Sequence, residues 1–134
     1  MTSKDSGRIS ENQPVANANN YFGLQLYKML AKEGKNVFFS PFSLSTALGM
    51  LFYGARNKTM QEMKTVLGYE IANIKDEEIK FFFQQLLFDL ECKTEAYTLT
   101  YANSMFYQKE FDVREEYKSL LFDFFKAVIL EVDF

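Results

Sequence analysis

The feature that most constrains this chain is a predicted helix without a single charged side chain, running from Pro41 to about Tyr53. Ser40 is placed to cap it, and Pro41 suits the first helical position because its missing N–H would have no helical acceptor there. Leu and Ala follow the helical period on one face, and Ser, Thr, Gly and Met fill the rest. A helix without a polar face is normally enclosed, so we expect this one to be buried nearly all round.

Four further segments repeat apolar residues with a helical period, at about residues 17–33, 59–67, 76–91 and 113–125. The predicted inward face of the first consists of Phe22, Leu26, Met29 and Leu30. The second opens with Thr59 and Glu62, which have the spacing of a capping box. The pattern therefore predicts five helices.

Three segments are predicted as strands: a short buried one over Asn36–Phe39, one over Thr98–Tyr107, and an alternating one over Ala127–Phe134. Residues 1–16 are polar and aperiodic, and we interpret them as a flexible N-terminal arm. Helices dominate, so the fold class is α+β. Two longer strands without further partners would leave unpaired edges, so we expect the chain to be a piece of something larger.

The composition excludes several classes of function. The 134 residues include no histidine, which removes Ser-His-Asp and Cys-His catalysis and the commonest metal ligand. We expect no metal site and no cofactor. A net charge of −3 argues against a nucleic-acid partner. The sequence has neither the apolar core of a signal peptide nor a membrane-spanning apolar stretch, so we expect no membrane partner.

Four motifs resemble the serpin family, in the family's order, from about Asn17 to Phe134. The first is Asn36-Val-Phe-Phe-Ser-Pro-Phe-Ser-Leu-Ser-Thr-Ala-Leu-Gly-Met50, which is similar to the serpin strand that leads into a buried helix. The second follows it directly through Leu51-Phe-Tyr-Gly-Ala55, Thr59 and Glu62-Met-Lys-Thr-Val-Leu-Gly68. The others are Leu99-Thr-Tyr-Ala-Asn-Ser-Met-Phe106, with its Ala-Asn pair, and Ala127–Phe134, which ends in Val-Asp-Phe.

The resemblance implies the serpin fold, a single domain of three β-sheets and about nine helices. This chain would supply helices A to E, the short strand before helix B and two strands of the central sheet. Residues 17–134 are thus expected to be the N-terminal part of that domain. The reactive-centre loop belongs to its far C-terminal part and is absent here.

The resemblance also implies a function for the complete protein. A serpin offers its reactive-centre loop as bait to a serine protease, and the cleaved loop inserts into the central sheet and traps the protease covalently. We therefore expect an inhibitor and not an enzyme, with a serine protease and the remaining C-terminal part of the domain as partners. Two alternatives stay open: a non-inhibitory carrier, storage protein or chaperone with the serpin fold, and an independent helical binding module.

The resemblance assigns Ser40, Pro41 and Ser43 to the shutter, beneath the place where the central sheet parts. There, small hydroxyls would exchange hydrogen-bond partners as strands separate. Ser40 also has a simpler structural role, as a helix N-cap that contributes about 1 kcal/mol of stability, and this is compatible with the shutter role.

Two further expectations concern the surface. Asn57-Lys58-Thr59 is a candidate glycosylation sequon, although chance plus a capping role for Thr59 is the simpler explanation. In some serpins helix D binds heparin through a basic face; here the matching segment has two nearby lysines against five acids, so we expect no heparin site on it. These residues are Lys75, Lys80, Asp76, Glu77, Glu78, Asp89 and Glu91.

The compartment follows from the predicted arm. Leaderless intracellular serpins usually begin almost at helix A, whereas here about 16 residues precede it. We therefore favour an extracellular protein, with the cytoplasm as the alternative.

Overall fold

The computed structural model of the chain describes residues 13–134. Its helices are α1 (Gln13–Leu30), α2 (Pro41–Gly54), α3 (Asn57–Val66), α4 (Asp76–Leu90) and α5 (Glu115–Phe125). Its strands are β1 (Cys92–Lys93), β2 (Thr98–Leu99), β3 (Asn103–Gln108) and β4 (Ala127–Val132), with α5 between β3 and β4. The chain divides into two compact units, one ending at Ile79 and one beginning at Lys80.

The first unit is helical, and α2 packs against both α1 and α3. Its core consists of Val15, Ala18, Phe22, Met50, Phe52, Leu67, Tyr69, Ile74 and Ile79. The rings of Phe52 and Tyr69 meet edge to face at 5.3 Å. Gly23 permits the close approach of α1 to α2, because a Cβ there would lie 2.9 Å from Cβ of Pro41.

The expectation that α2 is buried all round is wrong for the described chain. Its buried face consists of Ser45, Thr46, Gly49, Met50 and Phe52. The opposite face is open: Leu44 and Ala47 are exposed, and Leu51 is 55% exposed. No described element covers this face, although it carries no charge.

The predicted inward face of α1 needs a similar correction. Only Phe22 of that set is buried; Leu26 is half-buried, Leu30 is exposed, and Met29 is 78% exposed. The buried face lies nearer the start of the helix, at Val15, Ala18 and Phe22. The apolar period was therefore correct for a helix, but the last turn of α1, with Met29 and Leu30, is left uncovered by the described residues.

The N-terminal arm predicted over residues 1–16 is shorter in the structure. Residues 13–16 belong to α1, where Pro14 suits the first turn and Val15 is buried. The rest of the predicted arm lies outside the described residues.

The capping box predicted at Thr59 does not form. Helix α3 begins earlier, at Asn57, and its N-cap is Arg56, which makes no side-chain capping hydrogen bond. Thr59 lies inside the helix, and Glu62 instead approaches Lys58, with 3.8 Å between carboxylate and ammonium.

The second unit contains a parallel strand pair. Strands β3 and β4 align from Asn103 opposite Ala127 to Gln108 opposite Val132. Helix α5 connects them and buries Leu121 and Phe125. The side-chain amide of Asn103 donates to the carbonyl oxygen of Phe125 at 2.9 Å, which fixes the end of α5 beside the start of β3. The two predicted longer strands are therefore confirmed, with altered bounds.

The strand predicted over Thr98–Tyr107 is divided in two. Residues 98–99 pair antiparallel with Cys92–Lys93 in a short hairpin that the sequence analysis missed, and the pairing with β4 begins only at Asn103. The strand predicted over Asn36–Phe39 is unpaired within the described chain, and Phe38 is fully exposed rather than buried. A strand needs a hydrogen-bonding edge, and no described element offers one to this segment.

Candidate functional site at the start of helix α2

The start of α2 is organised by Ser40. Its backbone is extended, with φ −108° and ψ 103°, and the backbone N–H of Ser43 donates to its Oγ at 3.2 Å. The Ser40 hydroxyl in turn donates to Oγ of Ser43 at 2.9 Å. Pro41 occupies the first helical position between them. The structure thus brings Ser40, Pro41 and Ser43 together in one turn.

Both serine side chains are exposed. A hydroxyl donates one hydrogen bond and accepts two, so the contacts above use only part of what this pair offers. Within the described residues, the hydroxyl proton of Ser43 has no acceptor. The pair can therefore bond to a further segment without first breaking its own link.

Two buried hydroxyls lie on the opposite face of the same helix, and the sequence analysis did not single them out. Ser45 and Thr46 are each 1% exposed, and the Thr46 hydroxyl donates to the carbonyl oxygen of Phe42 at 2.9 Å. That bond satisfies the hydroxyl within the helix, so it can be buried at little cost. The signal in the sequence was the small-residue face formed with Gly49, one turn further along.

A cleft of about 420 Å³ lies beside Pro41, between α1 and the segment that leads into α2. It is lined by Asn19, Asn20, Gly23, Leu24, Tyr27, Phe39 and Pro41. The lining is mostly apolar, and Oδ1 of Asn19 is buried without a hydrogen-bond partner in the described structure. The cleft therefore reaches the serine pair through Pro41 and Phe39, which flank Ser40 in the sequence.

The candidate sequon lies at the start of α3. Asn57 and Thr59 are exposed, and Asn57 has a left-handed backbone with φ 52°. Asn57 is not part of the serine pair, which lies at the other end of α2.

Helix α4, the segment that matches the heparin-binding helix of some serpins, is acidic where it begins. Asp76, Glu77 and Glu78 occupy the first turn of α4, where the helix dipole favours negative charge. The ammonium of Lys64 lies 2.8 Å from the carboxylate of Asp76, and this hydrogen bond raises the pKa of Lys64. The ammonium of Lys80 lies 4.9 Å from the centre of the Phe124 ring.

Burial also acts on a tyrosine in the core of the first unit. Tyr69 is fully buried, and its hydroxyl has no hydrogen-bond partner among the described residues. Because the charged phenolate would have to leave water, desolvation raises the pKa of Tyr69 far above its ordinary value.

Residues 13–134 contain no cluster of three His, Cys, Asp or Glu side chains with the geometry of a metal site. None of the described helices combines the length and apolar character that crossing a membrane requires.

The model of one protein family, described as serpin (serine protease inhibitor), matches residues 17–134. This chain belongs to the serpin family. Among curated serpins, it is 42% identical over 120 residues to "Intracellular coagulation inhibitor 1" of Tachypleus tridentatus, covering 90% of this chain and 28% of that protein. It is 37% identical over 121 residues to Iripin-8 of Ixodes ricinus, covering 90% of this chain and 30% of Iripin-8.

Solved structures show the serpin fold directly. Reactive-loop-cleaved human thyroxine-binding globulin superposes with a TM-score of 0.83 at 27% identity, over 91% of this chain and 37% of that one. The chain is a partial serpin that spans about three-tenths of the length of these curated relatives. The serpin resemblance predicted from the four motifs is confirmed.

Proposed function

We propose that the complete protein inhibits a serine protease, which cleaves its reactive-centre loop and is trapped covalently as the loop inserts into the central sheet. The observation that carries this proposal is the match of the serpin family model over residues 17–134. A relative named as a coagulation inhibitor supports it. The protein acts as a suicide substrate and not as an enzyme.

Loop insertion requires a sheet that accepts a new strand, and the strand pair of the second unit supports this role. Strands β3 and β4 pair in parallel over six residues each. Within residues 13–134 each of the two strands pairs on one side only, so the other backbone edge can accept a further strand. We infer that they are two strands of the central sheet and that the rest of the domain, our second proposed partner, supplies the others.

We infer that Ser40, Pro41 and Ser43 act in the shutter. The 2.9 Å bond between the two hydroxyls holds the pair together, and the proton of Ser43, which has no acceptor within the described residues, is available to a strand of the central sheet. Pro41 fixes the backbone between the serines, since its ring restricts φ. Exchange of these weak bonds would let strands separate at low cost.

The shutter role is tested by Ser43→Leu in the complete protein. An apolar side chain cannot make either hydroxyl contact, so we expect faster polymerisation or conversion to the latent form on heating. Ser119→Leu, at an exposed serine of α5, is the control. A polymerisation rate equal to that of the unchanged protein would remove the shutter role from Ser43.

The inhibitory function is tested by incubating the complete protein with a trypsin-like and a chymotrypsin-like protease. We expect a complex that survives SDS with at least one of them, because an acyl bond joins the two chains. Cleavage of the loop without such a complex would favour the second candidate.

The second candidate is a non-inhibitory carrier, storage protein or chaperone. The thyroxine-binding globulin structure supports it, since that neighbour is named for binding thyroxine. The residues of the loop hinge distinguish the two: small side chains permit insertion, whereas bulky side chains or proline block it. An independent helical module is the third alternative.

We propose an extracellular location, with the cytoplasm as the alternative, since one relative is named as intracellular. We also propose that heparin does not act through α4, because its first turn is acidic and Lys64 is already bonded to Asp76. A steep rise in inhibition rate with heparin, abolished by substituting Lys75 and Lys80, would contradict this.

A further inference from the structure

The first turn of α3, directly after the short connection from α2, contains the one Asn-X-Ser/Thr sequon of the sequence, Asn57-Lys58-Thr59. The simpler explanation was that Thr59 serves as a helix cap. The structure removes that explanation, because the N-cap is Arg56 and Thr59 lies within the helix. The hydroxyl two residues after Asn57 is therefore not needed for capping.

Both sequon side chains are accessible. Asn57, Lys58 and Thr59 are all exposed, and neither Asn57 nor Thr59 makes a side-chain hydrogen bond within the described chain. The turn itself is held by Arg56, whose guanidinium donates to the carbonyl oxygens of Tyr53 and Ala55 at 3.1 and 2.7 Å. A substituent on the Asn57 amide would thus break no contact of the turn.

The backbone conformation of Asn57 is also compatible with a substituent on its side-chain amide. Its φ of 52° is left-handed, a conformation that asparagine adopts more readily than most residues. Asparagine is therefore favoured here on conformational grounds, and its amide is free for chemistry.

We propose that Asn57 carries an N-linked oligosaccharide. In the transfer, Nδ2 of Asn57 forms a bond to C1 of the first sugar of a lipid-diphosphate-linked oligosaccharide. The bond between C1 and the diphosphate oxygen breaks, the lipid diphosphate leaves, and the amide gives up one proton to a base of the transferase. The proposal rests on the extracellular location proposed above and is independent of inhibition.

The direct test uses the protein from its own source. Cleavage after glutamate releases residues 34–62, which contain the whole sequon and no internal acidic residue. Mass spectrometry should find this peptide carrying a glycan that a peptide N-glycosidase removes, leaving aspartate at position 57. A peptide with unmodified Asn57 would overturn the proposal.

Variants of the complete protein, secreted from eukaryotic cells, assign the site. Asn57→Gln and Thr59→Ala should each abolish the glycosidase-sensitive mass shift of this region, and Thr59→Ser should retain it. Asn73→Gln is the matched control, since Asn73 is also exposed and left-handed, with φ 55°, but lies outside a sequon. A glycan on residues 34–62 that persists in Asn57→Gln would contradict the assignment. None of these readouts depends on protease inhibition, so the two proposals fail separately.

Discussion

The two faces of α2 are chemically alike but lie in opposite environments. One face, with Met50 and Phe52, is buried against the other helices of the first unit. The other, with Leu44 and Leu51, is exposed and equally free of charge. Charged side chains normally occupy the open face of a surface helix. Their absence indicates that the open face of α2 belongs to an interior that this chain does not complete by itself.

The same contrast recurs along α1, where Phe22 is buried and Met29 is exposed. Because the curated relatives are about three times longer, we propose that both open faces contact the rest of the serpin domain. If this is correct, the open face should contribute as much stability to the complete protein as the buried one.

The largest effect is expected from Phe52→Ala in the complete protein. Phe52 is fully buried and packs edge to face on Tyr69 at 5.3 Å. Removing the ring leaves a cavity, so the free energy of unfolding should fall by about 3–5 kcal/mol. Denaturant unfolding measures this, and Phe52→Leu, which keeps most of the apolar volume, should cost less. Equal costs for the two variants would show that the ring is not packed as described.

The open and buried faces of α2 are compared most directly by Leu51→Ala and Met50→Ala in the complete protein, with the loss in free energy of unfolding measured for each. If the rest of the domain covers the open face, each substitution should cost about 2–5 kcal/mol. A loss for Leu51→Ala within about 0.5 kcal/mol of zero, as for an ordinary surface position, would show that this face stays open.

A smaller effect is expected at the helix cap. Ser40→Ala removes the acceptor for the backbone N–H of Ser43, now bonded at 3.2 Å. The free energy of unfolding should fall by about 1 kcal/mol. Ser40→Asn restores a capping acceptor and should recover most of it. A full loss in Ser40→Asn would indicate that the hydroxyl bond to Ser43, and not the cap, provides the stability.

The smallest expected effect is that of Tyr69 on the pH dependence of unfolding, which is absent below about pH 9. Burial raises its pKa, so the folded state resists ionisation while the unfolded chain ionises near the ordinary value of 10.0. Its contribution is therefore complete below about pH 10 and is lost as the pH rises further. Tyr69→Phe should weaken this alkaline loss in unfolding experiments, whereas Tyr97→Phe, at an exposed ring, should not. An unchanged profile in Tyr69→Phe would contradict the burial.

Local signals predicted the elements well, because each helix and longer strand has its own period. The start of α2 was predicted correctly from Ser40 and Pro41, because the N-cap and the first turn of a helix depend only on neighbouring residues. Which face is buried depends on distant partners, and the predicted face of α1 was wrong at Met29 for that reason. The break between β2 and β3 was missed because pairing with β1 and β4 is likewise non-local.

In the candidate site, too, local contacts could be predicted from the sequence and non-local ones could not. Ser40 and Ser43 are three residues apart at a helix start, so their contact follows from local geometry. The capping box at Thr59 failed because α3 begins two residues earlier, at Asn57, with Arg56 as its N-cap, so Thr59 lies inside the helix. The cleft beside Pro41 joins residues of α1 to residues before α2, and no local pattern indicates it.

The central claim, that the open apolar faces belong to a larger domain, is tested most directly by expressing residues 1–134 alone. The account predicts a chain that self-associates or unfolds without a cooperative transition, because Leu51 and Met29 remain exposed. Analytical ultracentrifugation with thermal and denaturant unfolding measures both properties. A soluble monomer that unfolds in one cooperative transition would contradict the account and favour an independent helical module.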